Sequence, residues 1–277
     1  MLKPGTFKLD GNVSSQFVTG LMVALPLLSA DSIISMSSAL ESRAYIDLTL
    51  EVLESFGISI ENDDYKQFII KGNQSYKPTQ IAVEGDYSQA AFWLAAGALS
   101  GDITCLGLKH NSRQGDKAIA EILQNSGARL KRDNHSINTE SSFLHAFEVD
   151  VSQYPDIAPI LAVVAALSMG TSKITGAARL RIKESDRLRA IASELNKLGA
   201  EIYEDEDSLT ITGVEALQGG EVDSWGDHRI AMALAVAAIK CKNSVVLHNS
   251  SVIDKSYPNF FDDYMMLGGN LHERNLG

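Results

Sequence analysis

The run Lys183-Glu-Ser-Asp-Arg187 offers two cations and a carboxylate at one candidate helix entrance, with Lys183 and Arg187 four apart on one face and Glu184 one position round. Similar entrances recur. Asp227-His-Arg229 opens the otherwise apolar stretch Ile230 to Ile239, Pro155-Asp156 opens another, and Lys255-Ser-Tyr-Pro258 supplies a further lysine. Free N–H groups and the positive end of the dipole make helix starts natural anion sites, so cations there suit phosphate or carboxylate, and adjacent carboxylates suit proton transfer. Taken singly, each run also fits a capped helix with a solvated charged face.

The elements that would position these residues form a repeat. Gly57, Gly127, Gly199 and Gly268 each close an amphipathic stretch and open an alternating one, at intervals of 70, 72 and 69 residues. Glycine is expected there because the left-handed conformation that caps a helix costs least without a Cβ. In the same frame, almost wholly apolar helices are predicted from about Ser15, Ser88, Asp156 and His228, and their apolarity on every side predicts burial. Helices before the glycines, such as Ser185 to Leu198, show a one-sided stripe of Leu188, Ile191, Leu195 and Leu198. Short β-like runs lie between, at Ser32 to Met36, Asp102 to Leu106, Ser172 to Thr175 and Ser244 to His248, and a hairpin is predicted within 200–213. The expected class is α+β, in modules of about seventy residues.

Composition narrows the chemistry. With 277 residues and 45% hydrophobic content the chain suits a well-buried globular protein of two domains. A formal charge of −11 argues against nucleic acid or an anionic membrane as partner, so any bound anion needs a local basic cluster. Cys105 and Cys241 stand in no metal or redox spacing, which fits a cytoplasmic setting, and the longest apolar stretches are too short to span a bilayer. His110, His135, His145, His248 and His272 show no ligand spacing, so no metal is expected. Glycine-rich nucleotide loops, the G-x-S-x-G elbow and the H-E-x-x-H pair are missing from the sequence, and no cofactor is indicated.

Six phrases together, Gly11-Asn-Val-Ser-Ser-Gln-Phe17, Ser42-Arg-Ala-Tyr-Ile-Asp47, Pro155-Asp156, Leu180-Arg-Ile-Lys-Glu-Ser-Asp-Arg-Leu188, Asp227-His-Arg-Ile-Ala-Met232 and Lys255-Ser-Tyr-Pro258, resemble the 5-enolpyruvylshikimate-3-phosphate synthase family in order and spacing along the whole chain. The resemblance implies an enolpyruvyl transferase-like fold of two domains, each of three βαβαββ-type units, with substrates in the cleft between them. It further implies that four of the six units are present, 1–84 being one unit of the first domain and 85–277 the three of the second, with a hinge near Val83 to Asp86.

By the same resemblance, Ser14, Ser15 and Ser42 bind the 3-phosphate of shikimate 3-phosphate, and Gln16, Tyr45 and Lys183 contact that substrate. Gln16, Arg187, Arg229 and Lys255 meet phosphoenolpyruvate. Glu184 moves a proton at the methylene carbon, supported by His228, and Asp156 orients or deprotonates the 5-hydroxyl. The family's N-terminal third is expected to be missing, leaving the chain alone with little or no turnover, and the apolar faces of Ile46, Leu50 and Leu53 or of the helix from Ser15 are expected to be exposed to a complementing chain or to self-association. A non-catalytic shikimate 3-phosphate-binding fragment and the related transferase acting on UDP-N-acetylglucosamine are the alternatives.

Overall fold

The computed structural model describes residues 2–12 and 14–273. They form two compact units, one running to Glu84 and taking in Asn111–Gly115, the other comprising Gly85–His110 and the chain from Asp116 onward. The inserted segment is Asn111–Gly115. In the structure this segment is tied to the first unit by polar bonds: Glu84 accepts from Ser112 Oγ at 2.6 Å and Gln114 Nε2 at 2.9 Å, and Arg113 pairs with Glu51 at 3.1 Å.

The first unit runs β1 (Thr6–Leu9), α1 (Ser15–Ala24), β2 (Ser32–Met36), α2 (Arg43–Ser55), β3 (Ile60–Asp63) and β4 (Gln67–Ile70), with sheet order β1-β2-β4-β3. β1 and β2 are parallel, Phe7 opposite Ile34. Each strand therefore feeds its helix from the same edge of the sheet, and α1 and α2 pack side by side with Thr19 and Thr49 hydroxyls 2.9 Å apart. Val18, Met22, Ile34, Ile46, Leu53, Phe68 and Ile70 form the core.

Two expectations fail here. Ile46 and Leu53 are buried in that core rather than exposed, because they lie on the side of α2 that faces the sheet and α1. Conversely α1 is not buried all round but shows the exposed face also expected of it: Phe17 and Val23, and Leu27 in the 3-10 turn Leu25–Leu27 that follows, are exposed, since one sheet and one neighbouring helix cover only the side carrying Val18 and Met22.

The second unit begins with α3 (Tyr87–Ser100), β5 (Asp102–Leu106), α4 (Ala118–Asn125), β6 (Arg129–Arg132) and β7 (Ser136–Glu140), in sheet order β5-β7-β6. Next come β8 (Glu148–Asp150), α5 (Ala158–Ala166), β9 (Thr171–Thr175), α6 (Arg187–Lys197), β10 (Glu201–Glu204) and β11 (Leu209–Thr212), whose sheet order β10-β11-β9-β8 repeats that of the first unit. The last run is β12 (Gly220–Asp223), α7 (His228–Ala238), β13 (Val245–His248) and α8 (Phe260–Met266), with β12 and β13 parallel.

α3, α5 and α7 pack on one another at the centre, and every residue of α5 is buried. Each fully buried leucine or valine there is worth about 1.5–3 kcal/mol, which is why helices apolar on all sides belong in this position. Gly97 lets α3 lie close on β7, where a Cβ would collide with the Thr139 side chain. The four capping glycines have positive φ of 80°, 98°, 91° and 97° in chain order. No helix among the described residues is long and apolar enough to cross a membrane.

Candidate active site

In the second unit the parallel pairs β8–β9 and β12–β13 send the chain into each following helical segment from the same edge of their sheet. The starts so placed carry Asp156, in the 3-10 turn Pro155–Ile157; Lys183 to Arg187 before and at the head of α6; Asp227 to Arg229 at the head of α7; and Lys255, closing the 3-10 run Ser250–Lys255.

The entrance at 183–187 differs from its expected form. α6 starts at Arg187, not Ser185, so Lys183, Glu184 and Arg187 do not share a helical face. Asp186 is the cap, its carboxylate accepting from Arg189 N at 3.1 Å. Arg181 holds this turn open: its guanidinium donates to Asp186 at 3.0 Å, Glu204 at 2.7 Å and the Glu206 carbonyl at 2.7 Å. Lys183 and Glu184 are thereby displayed on a loop.

Arg187 is the hub, with a side chain only 2% exposed. Nε donates to Asp227 at 2.7 Å, Nη1 to Asp156 at 2.8 Å and Nη2 to Glu184 at 2.7 Å. Asp227 is wholly buried, caps α7 through Arg229 N at 2.9 Å and accepts from Ser185 Oγ at 3.1 Å. Glu184 also accepts from Lys255 Nζ at 2.6 Å, and Lys183 Nζ lies 3.6 Å from Asp156. A planar guanidinium, with five donors in a fixed fork, suits three carboxylates at once.

Arg229 is different. It is 7% exposed, reaches Asp156 only at 3.4 Å through Nη2, and its Nε and Nη1 are buried without a hydrogen-bond partner among the described residues. Buried donors left unmade are costly, and this pair on a fixed cation is free for an acceptor. The neighbouring His228 Nδ1 is likewise unbonded, 3.7 Å from Asp227.

Electrostatics follow from this crowding. Burial pushes the Asp156 carboxyl up, but Arg229, Arg187 and Lys183 outweigh it and hold the group at about 2. Burial likewise opposes ionisation of Glu184, yet the Lys255 hydrogen bond and the Arg187 charge bring it to about 2. His228 is lowered by burial and by Arg229 against the pull of Asp227, which leaves it neutral at pH 7. Asp116, wholly buried and bonded to Ser88 Oγ, is pushed the other way, to about 6, by burial and by Asp156.

Because Asp156 and Glu184 titrate lower in the folded chain than in the unfolded one, the stability they lend is complete above about pH 4.5 and is lost as the pH falls through about 2. Urea midpoints measured between pH 6 and 2 should therefore decline most steeply below pH 4.5, and the decline should shrink in Glu184→Gln.

In the first unit Ser14 caps α1, its Oγ accepting from Gln16 N at 3.3 Å, and Ser15 and Gln16 form the first turn. Ser42 heads α2 in the left-handed conformation at φ 54° with its side chain buried, and Tyr45 stands in the first turn of α2. Since β1 and β2 are parallel, both helix heads lie at one edge of the unit; Gly11 N reaches Ser38 Oγ at 2.9 Å and Glu41 N reaches the Gly11 carbonyl at 3.0 Å, joining the two entry loops. Two helix N-termini and the hydroxyls of Ser14, Ser15 and Ser42 thus stand at that edge, an arrangement chemically suited to an anion.

Sequence reasoning missed the sharing of Arg187 by three carboxylates, the latch of Arg181 and the burial of Glu194. Glu194 had a signal, since it stands three residues after Ile191 and four before Leu198 on the apolar stripe of α6. Among the described residues no group of three or more His, Cys, Asp or Glu could hold a metal ion.

Carboxylates held ionised among cations at helix heads define a charged, partly buried polar site in an α+β protein. The chain belongs to the EPSP synthase (3-phosphoshikimate 1-carboxyvinyltransferase) family, whose model matches residues 2–264. It is 56% identical over 276 residues to the 3-phosphoshikimate 1-carboxyvinyltransferase of Clostridium acetobutylicum, covering 100% of this chain and 64% of that relative, and 54% identical over 273 residues to the one of Clostridium perfringens strain 13, covering 98% and 64%. An EPSP synthase structure from Acinetobacter baumannii superposes with a TM-score of 0.81 at 25% identity, over 97% of this chain and 63% of that one. The chain thus spans just under two thirds of the length of these relatives.

Proposed function

We propose that the protein transfers the enolpyruvyl group of phosphoenolpyruvate to the 5-hydroxyl of shikimate 3-phosphate and releases phosphate. The observation that carries this reading is Arg229, whose buried Nε and Nη1 await an acceptor beside ionised Asp156 and Glu184. Arg229, Arg187 and Lys255, with Gln16, take the phosphate and carboxylate of phosphoenolpyruvate. Ser14, Ser15 and Ser42 take the 3-phosphate of the other substrate, whose remaining groups meet Gln16, Tyr45, Lys183 and Asp156.

In the first step the hydroxyl oxygen bonds to C2 of phosphoenolpyruvate while C3 gains a proton, and the hydroxyl proton passes toward Asp156. In the second, the tetrahedral adduct loses a C3 proton and expels phosphate, which carries away the proton taken from the hydroxyl, restoring the double bond. Glu184 serves both steps, as donor and then as acceptor, with neutral His228 beside it. Before substrate arrives Lys255 holds Glu184 ionised. An anionic phosphoenolpyruvate that draws Lys255 and Arg187 to itself raises the Glu184 carboxyl, and so enables it to carry a proton.

The finer reading is that the chain holds four of six seventy-residue units, with 1–84 and 85–277 as parts of two domains. The exposed Phe17 and Val23 of α1, with Leu27 just beyond it, then serve self-association or a complementing chain; sedimentation at rising concentration should show association that Phe17→Ser reduces.

The function is tested with both substrates, with and without the remaining third of the Clostridium acetobutylicum relative supplied as a second polypeptide, following enolpyruvyl ether and phosphate by mass spectrometry. Equimolar ether and phosphate support the proposal. Product from UDP-N-acetylglucosamine instead of shikimate 3-phosphate would replace it with the second transferase reaction, and shikimate 3-phosphate binding without product in either arm would favour a binding role alone.

A further inference from the structure

Glu194 lies inside the second unit with no solvent exposure, on the face of α6 that also carries Ile191, Leu195 and Leu198. A carboxylate so placed is tolerated only if both oxygens are satisfied. They are: Oε1 accepts from Lys197 Nζ and Trp225 Nε1, both at 2.8 Å, and Oε2 from Lys197 Nζ at 2.8 Å and Asp223 N at 3.0 Å. Two of these four bonds leave α6 and grip the turn Asp223–Asp227 between β12 and α7.

That turn needs a grip. Trp225 sits at φ 55°, a conformation that side chains rarely adopt, and its indole is the group that Glu194 holds. Asp223 then passes the constraint on: Oδ1 accepts from Trp225 N at 2.6 Å and Oδ2 from Asn249 Nδ2 at 2.6 Å. Ser224 Oγ donates to the Asn249 carbonyl at 3.0 Å, and Asn249 stands at φ 55° at the start of the run that ends in Lys255. One buried carboxylate is thus linked to the turn that delivers Asp227, His228 and Arg229 and to the turn that delivers Lys255.

We propose that Glu194 is a positioning residue for the phosphoenolpyruvate subsite: by clamping Asp223 and Trp225 it sets where Arg229 and Lys255 present their cations, without touching the substrate itself. The proposal rests on the functional reading above. Glutamine at this position would present an NH2 to groups that are themselves donors, so at least one of the four bonds is lost. Phenylalanine at Trp225, an exposed position 37% accessible, removes the indole donor while keeping an aromatic ring.

The test compares the full chain with Glu194→Gln and Trp225→Phe, reading amide hydrogen exchange over 223–229 and titrating each with phosphoenolpyruvate and with shikimate 3-phosphate. Both variants should exchange faster in that segment and bind phosphoenolpyruvate roughly tenfold more weakly, since small misplacements of binding groups are costly, while shikimate 3-phosphate affinity changes by less than about twofold. A merely structural role would weaken both ligands alike, and that result overturns the proposal, as does unaltered exchange over 223–229. If the unsubstituted chain binds no phosphoenolpyruvate the functional reading fails instead, and the exchange data still decide whether Glu194 holds the turn.

Discussion

Arg187→Met should lower the stability of the second unit by about 3–5 kcal/mol, the usual cost of stripping one partner from a buried ionic cluster. The side chain is 2% exposed and donates to Asp156, Glu184 and Asp227, of which Asp227 has no exposure at all. Methionine fills the space but leaves three carboxylates facing one another. For a unit of this size the melting temperature should fall by on the order of 10 °C, measured by calorimetry at pH 7. The loss should be smaller at pH 4, where the carboxylates freed of their partner take up protons. An equal loss at both pH values would show that packing, not charge, is what Arg187 supplies.

With the remaining third of the Clostridium acetobutylicum relative supplied as a second polypeptide, Glu184→Gln should reduce transfer by about 10²–10⁴-fold, the range supplied by a positioned proton carrier. Glu184 is 30% exposed, sits on a loop and accepts from Lys255 and Arg187, so its amide keeps the shape and part of the bonding. Phosphoenolpyruvate affinity should remain or improve, because Lys255 is released to the substrate. Turnover close to that of the unsubstituted chain would remove Glu184 from the proton path.

Much of the scaffold was readable in residue types. β2 and β5 coincide with the alternating runs at Ser32 to Met36 and Asp102 to Leu106, and Gly57, Gly127, Gly199 and Gly268 do take positive φ at helix ends. α5 is buried throughout, as its composition requires. Exposure on α1 was harder to read because Phe17, Val23 and Leu27 are no more polar than Val18 and Met22; which side is covered depends on what packs there. The late start of α6 depends on Arg181, whose partners Glu204 and Glu206 lie on a hairpin some twenty residues on. Arg187 gathers Asp156 and Asp227 from 31 and 40 residues away, a convergence that only the parallel strand pairs produce.

On the proposed reading, local charge offsets the chain's net −11 at the anion site. Lys183, Arg187, Arg229 and Lys255 stand against Asp156, Glu184 and Asp227, four charges less three, and the surplus is lodged where Arg229 has unspent donors.

Titration calorimetry of phosphoenolpyruvate into the unsubstituted chain and into Arg229→Met tests this most directly. Arg229 makes only a 3.4 Å contact with Asp156, which keeps Arg187 and Lys183, so the substitution should lower the melting temperature by less than Arg187→Met does. Saturable one-to-one binding should weaken by about a hundredfold in the variant, the worth of charged hydrogen bonds to a buried guanidinium. Equal affinity in the two proteins, or loss of binding matched by loss of fold, would contradict the assignment of Arg229 as the anion's principal ligand.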